Sequence, residues 1–137
     1  RSWHPDQQKL AGYRRAMEES EIGFDSKYIL TDGMSNTNIV SFLNEIDPDG
    51  IICPRVTHAF AIMGEILKME KKIPQDIRLA RFGESEDLPQ YIDYMYIVVF
   101  PEEALIDKVI SVLCESIKNK KHPVQRIYLN QDIIINE

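Results

Sequence analysis

The stretch from Gly50 to Glu84 constrains this chain most, because its pattern reads as one strand–helix–strand unit of an open, parallel α/β sheet. Gly50-Ile51-Ile52-Cys53 is a short unbroken apolar run that Pro54 halts, as expected of a strand buried on both faces. From His58 to Met69 the apolar residues Ala59, Phe60, Ile62, Met63, Ile66 and Leu67 recur at helical spacing, while Glu65, Lys68 and Glu70 fall mostly elsewhere. Gly64 sits mid-helix at a cost of roughly 1 kcal/mol against Ala, which predicts that the helix backbone runs close to something flat, such as a sheet. Ile73-Pro74-Gln75-Asp76 then turns the chain, and Ile77 to Phe82 form a second strand that Gly83 and Glu84 break. Such a crossover joins two parallel strands.

The flanking segments extend the same alternation. Pro5 and Asp6 open a helix that ends near Ser20, with Leu10, Tyr13, Ala16 and Met17 on its apolar face. A strand is expected over Lys27 to Thr31, stopped by the turn signal Asp32-Gly33, and Ser35 can cap the next helix, which buries Ile39, Phe42, Leu43 and Ile46. After the central unit, Ser85 to Asp93 is polar, and Tyr94 to Phe100 is a strand rich in aromatic and β-branched residues. Pro101, Glu102 and Glu103 start a helix whose broad apolar arc, Leu105, Ile106, Val109, Ile110, Val112, Leu113 and Ile117, calls for burial on more than one side. Val124 to Leu129 and Ile133 to Ile135 read as closing strands. The expected class is therefore α/β, three layers deep, with a mainly parallel, doubly wound sheet.

Length and charge narrow the function. One domain suits 137 residues, and 44% apolar content supports a core. A net charge of −6 argues against this segment gripping nucleic acid by itself, because phosphate binding needs a clustered basic surface. Cys53 and Cys114 form neither a CxxC pair nor a secreted disulfide framework, so a reducing cytoplasm is the expected setting. No run is apolar enough for a membrane span, and no signal peptide opens the chain. GxGxxG, GxxxxGK[ST] and nucleophile-elbow patterns are absent, so neither an enzyme nor a cofactor is expected. His4, His58 and His122 lack metal-type spacing, no metal is expected, and His58 is read as a helix-start residue facing water.

Four stretches, in order, resemble the effector-binding domain of the LacI/GalR family of bacterial transcription repressors, a domain of the periplasmic-binding-protein-like type I fold. They are Lys9-Leu10-Ala11-Gly12-Tyr13 with Ala16-Met17; Asp49 to Cys53 with the helix reaching Gly64; Ile73-Pro74-Gln75-Asp76-Ile77-Arg78-Leu79 leading to Phe82; and Val98 to Pro101 with the helix after it. The same domain also occurs behind GntR-type DNA-binding heads. The resemblance implies two lobes, with a small effector, often a sugar, in the cleft between them. It implies that this chain is the C-terminal part of such a domain and a fragment of a larger regulator. Residues 1–97 and 122–137 would then belong mostly to the second lobe, and 98–121 to a crossover and helix of the first. It further implies a cytoplasmic homodimer that meets DNA only through a separate N-terminal head. The alternative is a solute-binding or receptor sensor domain of the same fold outside the cytoplasm.

Ligands of open parallel sheets bind outside the carboxyl ends of the strands. That rule selects Asp32, Pro54-Arg55 and Gly83-Glu84, with Lys9 reaching in from the first helix, so Lys9, Asp32, Arg55 and Glu84 are the candidate effector contacts. By resemblance, the Lys9 position commonly holds an effector-binding Arg, Arg55 stands where relatives carry Asn-Asp, and Gly83 stands where they carry an Asp that binds sugar hydroxyls. Also by resemblance, dimerisation falls on the helix around Ala61 and Glu65 and on the region after the fourth strand, where Tyr91 and Tyr94 lie.

Overall fold

The computed structural model describes residues 4–31, 35–83, 95–119, 123 and 126–134. Its elements are α1 (His4–Glu19), a 3-10 turn (Ser26–Tyr28), α2 (Asn36–Ile46), β1 (Gly50–Cys53), α3 (Val56–Lys68), β2 (Arg78–Gly83), β3 (Tyr96–Val99), α4 (Glu102–Lys118) and β4 (Asp132–Ile134). The strands form one sheet in the order β1-β2-β3-β4. β1 and β2 run parallel with Ile51 opposite Leu79 and Cys53 opposite Arg81, and β2 and β3 run parallel with Arg81 opposite Ile97. The central crossover therefore exists as its sequence predicts. β4 alone is antiparallel, pairing Val98 with Ile133, so the sheet is mainly rather than wholly parallel.

Local chemistry sets the helix limits. Ser35 accepts a hydrogen bond from the Asn38 N–H and so satisfies one of the donors orphaned at the start of α2. Asp47 closes that helix in the left-handed conformation at φ 45°. α2 and α3 then lay Ile39, Leu43, Ala59, Ile62, Met63 and Ile66 on the sheet face that carries Ile51, Cys53 and Leu79, with Ile73, Ile77 and Met95 completing the core.

Several expectations fail, each for a physical reason. Lys27 to Thr31 is not a strand. The Asp25 side chain accepts from the Lys27 N–H at 2.9 Å and the Ile29 N–H donates to the Ser26 carbonyl, so local side-chain and turn bonding takes the place of a ladder. Strand propensity describes a fit to a neighbouring strand, and Ile29, Leu30 and Thr31 lie outside the sheet. Residues 126–130 are likewise not a strand, while 124, 125 and 135 lie outside the described residues. β1 is not buried on both faces. It is the edge of the sheet, and Ile52, which by alternation points away from α2 and α3, is 57% exposed. Gly64 makes no close approach, since a Cβ there would meet nothing within 4 Å. The apolar residues of α3 buried in the core are Ala59, Ile62, Met63 and Ile66, with Phe60 and Ala61 packed against it, so contact with the core is made by side chains rather than by the backbone at Gly64. Finally, Glu65 is buried rather than solvated, with Lys68 donating to its Oε1 at 2.7 Å.

α4 forms where expected, but its apolar arc is open, with Leu105, Ile106, Val109, Ile110, Leu113 and Ile117 between 49% and 78% exposed.

Candidate functional site

The three parallel strands end together, and one side chain joins their ends. Lys9 Nζ donates to the Pro54 carbonyl just past β1 at 2.8 Å, lies 4.6 Å from the centre of the Phe82 ring on β2, and lies 5.9 Å from that of Phe100 just past β3. Phe82 alternates with Leu79 and Arg81, so its ring belongs to the sheet face opposite the core helices. Lys9 thus ties α1 to the strand tips from the open side. Contact with two ring faces is favourable for an ammonium, and more so where water is partly excluded.

Arg55 follows β1 directly and starts α3, with extended backbone at φ −142° and ψ 149°. Its Nη2 donates to Asp6 Oδ2 at 2.6 Å, a charge-assisted bond that pins the first turn of α1 to the start of α3. Asp6 and Lys9 stand three residues apart on α1 and so share a helix face. One side of α1 therefore supplies both the carboxylate and the ammonium. No side chain caps α3, and its first turn contains no acid.

The charges at these strand ends feel one another. Desolvation pulls the Lys9 pKa below the usual lysine value, Arg55 pulls it further, and Asp6 opposes them. His58, half-buried in the first turn of α3, is also lowered, first by desolvation and then by Arg55, with Asp6 again opposing. His58 is therefore not the water-facing residue expected, and burial holds its imidazole toward the neutral form.

β2 leaves the sheet through Gly83 at φ 147°, a conformation in which L side chains are strained. A side chain at this position would carry that strain, so the backbone favours glycine where the family resemblance calls for a carboxylate.

Of the four candidate contacts, the structure brings Lys9 and Arg55 to the same strand ends, while Asp32 and Glu84 lie outside the described residues. Sequence reasoning missed Phe82, Phe100 and Asp6. Phe82 near the end of β2 and Phe100 just past β3 were legible under the same strand-tip rule that selected their neighbours. Of the interface candidates, Ala61 is half-buried and Glu65 is only 7% exposed within its own chain. Tyr91 and Tyr94 lie outside the described residues. Among the described residues no group of three or more His, Cys, Asp or Glu could hold a metal ion, and no helix is long and apolar enough to cross a membrane.

No family model matches the chain. It is 21% identical over 136 residues, 96% of its length, to the HTH-type transcriptional repressor PurR of Vibrio vulnificus. It is similar in structure to the transcription regulator CcpA of Lactococcus lactis, with a TM-score of 0.74, 19% identity and cover of 95% of this chain and 49% of the other. A sugar-binding transcriptional regulator of the LacI family from Escherichia coli, solved in complex with phosphate, gives a TM-score of 0.73 at 14% identity, covering 92% of this chain and 47% of that one. The chain spans 41% of the length of the Vibrio vulnificus repressor.

Proposed function

From the premise that this chain is of the LacI/GalR effector-binding type, with the α/β, periplasmic-binding-protein-like fold of those regulators, we propose that it is the ligand-sensing part of a bacterial transcription regulator. A small effector, a sugar or sugar derivative, binds at the strand tips in a cleft between two lobes. This piece supplies most of the second lobe, residues 1–97 and 122–137, while 98–121 cross to the first. The protein acts in the cytoplasm as a homodimer, has no enzymatic step, and contacts DNA through a separate N-terminal head. Binding shifts the population of lobe arrangements and so the spacing of the attached heads, which requires an effector with different affinity for the two arrangements.

The observation that carries this reading is the convergence of Lys9 on the carboxyl ends of β1, β2 and β3, where open parallel sheets hold ligands. The exposed apolar arc of α4 supports its assignment to another lobe. The test is a thermal-shift screen of the full-length regulator against a panel of monosaccharides, disaccharides and their phosphates. A true effector at 100 times its dissociation constant adds about 2.7 kcal/mol of stability and changes the affinity for operator DNA. A panel without a stabilising compound, or one whose stabilising compounds leave DNA binding unchanged, counts against the proposal.

A further inference from the structure

We propose that the effector carries an oxyanion group, a phosphate or a carboxylate, received by Lys9 and Arg55, while its less polar body lies against Phe82 and Phe100. This rests on reading the strand tips as the effector site and adds the chemical class of what they take.

A sugar hydroxyl both donates and accepts, so a neutral polyol held by direct contacts needs acceptors as well as donors in its cleft. Lys9 and Arg55 only donate. Of the acceptors beside them among the described residues, the Pro54 carbonyl and the Asp6 carboxylate each already take one bond, from the Lys9 ammonium and the Arg55 guanidinium, which leaves their remaining lone pairs for a hydroxyl. Gly83 contributes no side chain at the end of β2, and its φ of 147° disfavours one. Among the described residues the side chains at these strand ends are thus mostly donors and ring faces, which suits a group whose oxygens only accept.

Charge leads the same way. Lys9 and Arg55 are two cations with one carboxylate, Asp6, within bonding range among the described residues. They are drawn together in a chain whose net charge is −6, so the cluster does not follow from general basicity. His58 adds a ring nitrogen at the same strand ends without adding charge while it stays neutral. An arriving oxyanion relieves the repulsion between Lys9 and Arg55 and adds to the counter-charge that Asp6 supplies to both among the described residues.

The test is calorimetric titration of the full-length protein with matched pairs: glucose and glucose 6-phosphate, ribose and ribose 5-phosphate, glucose and gluconate. The charged member of at least one pair should bind about tenfold or more tightly than its neutral partner, the scale of one charge-assisted hydrogen bond. Lys9→Gln and Arg55→Gln should each remove most of that preference. The gluconate arm distinguishes a carboxylate from a phosphate. Equal or tighter binding of a neutral member, surviving both substitutions, overturns the oxyanion inference and leaves the cleft reading standing. Charged ligands that bind without sensing either substitution overturn it too, because they sit elsewhere. Absence of heat from every compound counts against both readings.

Discussion

The helices α3 and α4 carry similar apolar stripes and end in opposite situations. On α3, Ala59, Ile62, Met63 and Ile66 are at most 8% exposed, pressed onto Leu79 and Cys53 of the sheet. On α4, Leu105, Ile106, Val109, Ile110, Leu113 and Ile117 are each about half exposed or more. Amphipathic spacing thus states that a helix needs cover, without stating which part of the polypeptide supplies it. The difference separates a helix whose main apolar row is covered by its own sheet from one whose apolar face no described residue covers, although Ile52 and Leu67 show that the first region is not wholly closed either. That division follows the proposed lobe boundary.

Truncation on each side gives the largest effect and could break the comparison outright. Leu79→Ala, deep in the α3 core, should cost about 2–5 kcal/mol in urea unfolding of the full-length protein. Ile110→Ala should cost about 2 kcal/mol or more there if another lobe covers α4, and less than about 0.5 kcal/mol if its face stays in water. The smaller figure would break the lobe assignment.

The buried thiol sharpens the same contrast through pH. Burial pushes the Cys53 pKa to about 12, so the folded state disfavours the thiolate relative to the unfolded chain. Its stabilising contribution is complete below the ordinary thiol pKa and declines as pH rises toward 12, by about 1.4 kcal/mol per pH unit in that window. Compared with Cys53→Ala, the native protein should lose unfolding free energy more steeply above pH 9, and equal slopes would contradict the burial. Smaller still is the cap of α2, where Ser35→Ala should cost about 1 kcal/mol by thermal denaturation. Smallest is the exposed ion pair between Arg15 and Glu19 on α1, whose removal by Glu19→Gln should change stability by less than about 0.5 kcal/mol.

The central crossover was legible because strand, turn and helix signals agreed along Gly50 to Gly83 and each was satisfied by its neighbours in sequence. Lys27 to Thr31 misled because strand formation depends on a partner elsewhere, and the Asp25 turn offered an immediate alternative. Glu65 misled because its burial depends on tertiary packing and on the nearby Lys68 ammonium, which a polar-means-outside reading passes over. Arg81, 2% exposed in the core-facing row of β2, is a further buried charge that the strand's pattern did not reveal. At the site, Lys9 and Arg55 were accessible through the strand-tip rule. The Asp6 partner of Arg55 was not, because that pairing spans 49 positions.

Hydrogen exchange of the full-length protein, with and without the compound that stabilises it most, locates the sensing surface residue by residue. Sensing at the strand tips predicts that added protection concentrates in residues 6–9, 54–58 and 82–83 and at the start of α4. Protection confined to other surfaces, with those tips exchanging as before, would contradict the account.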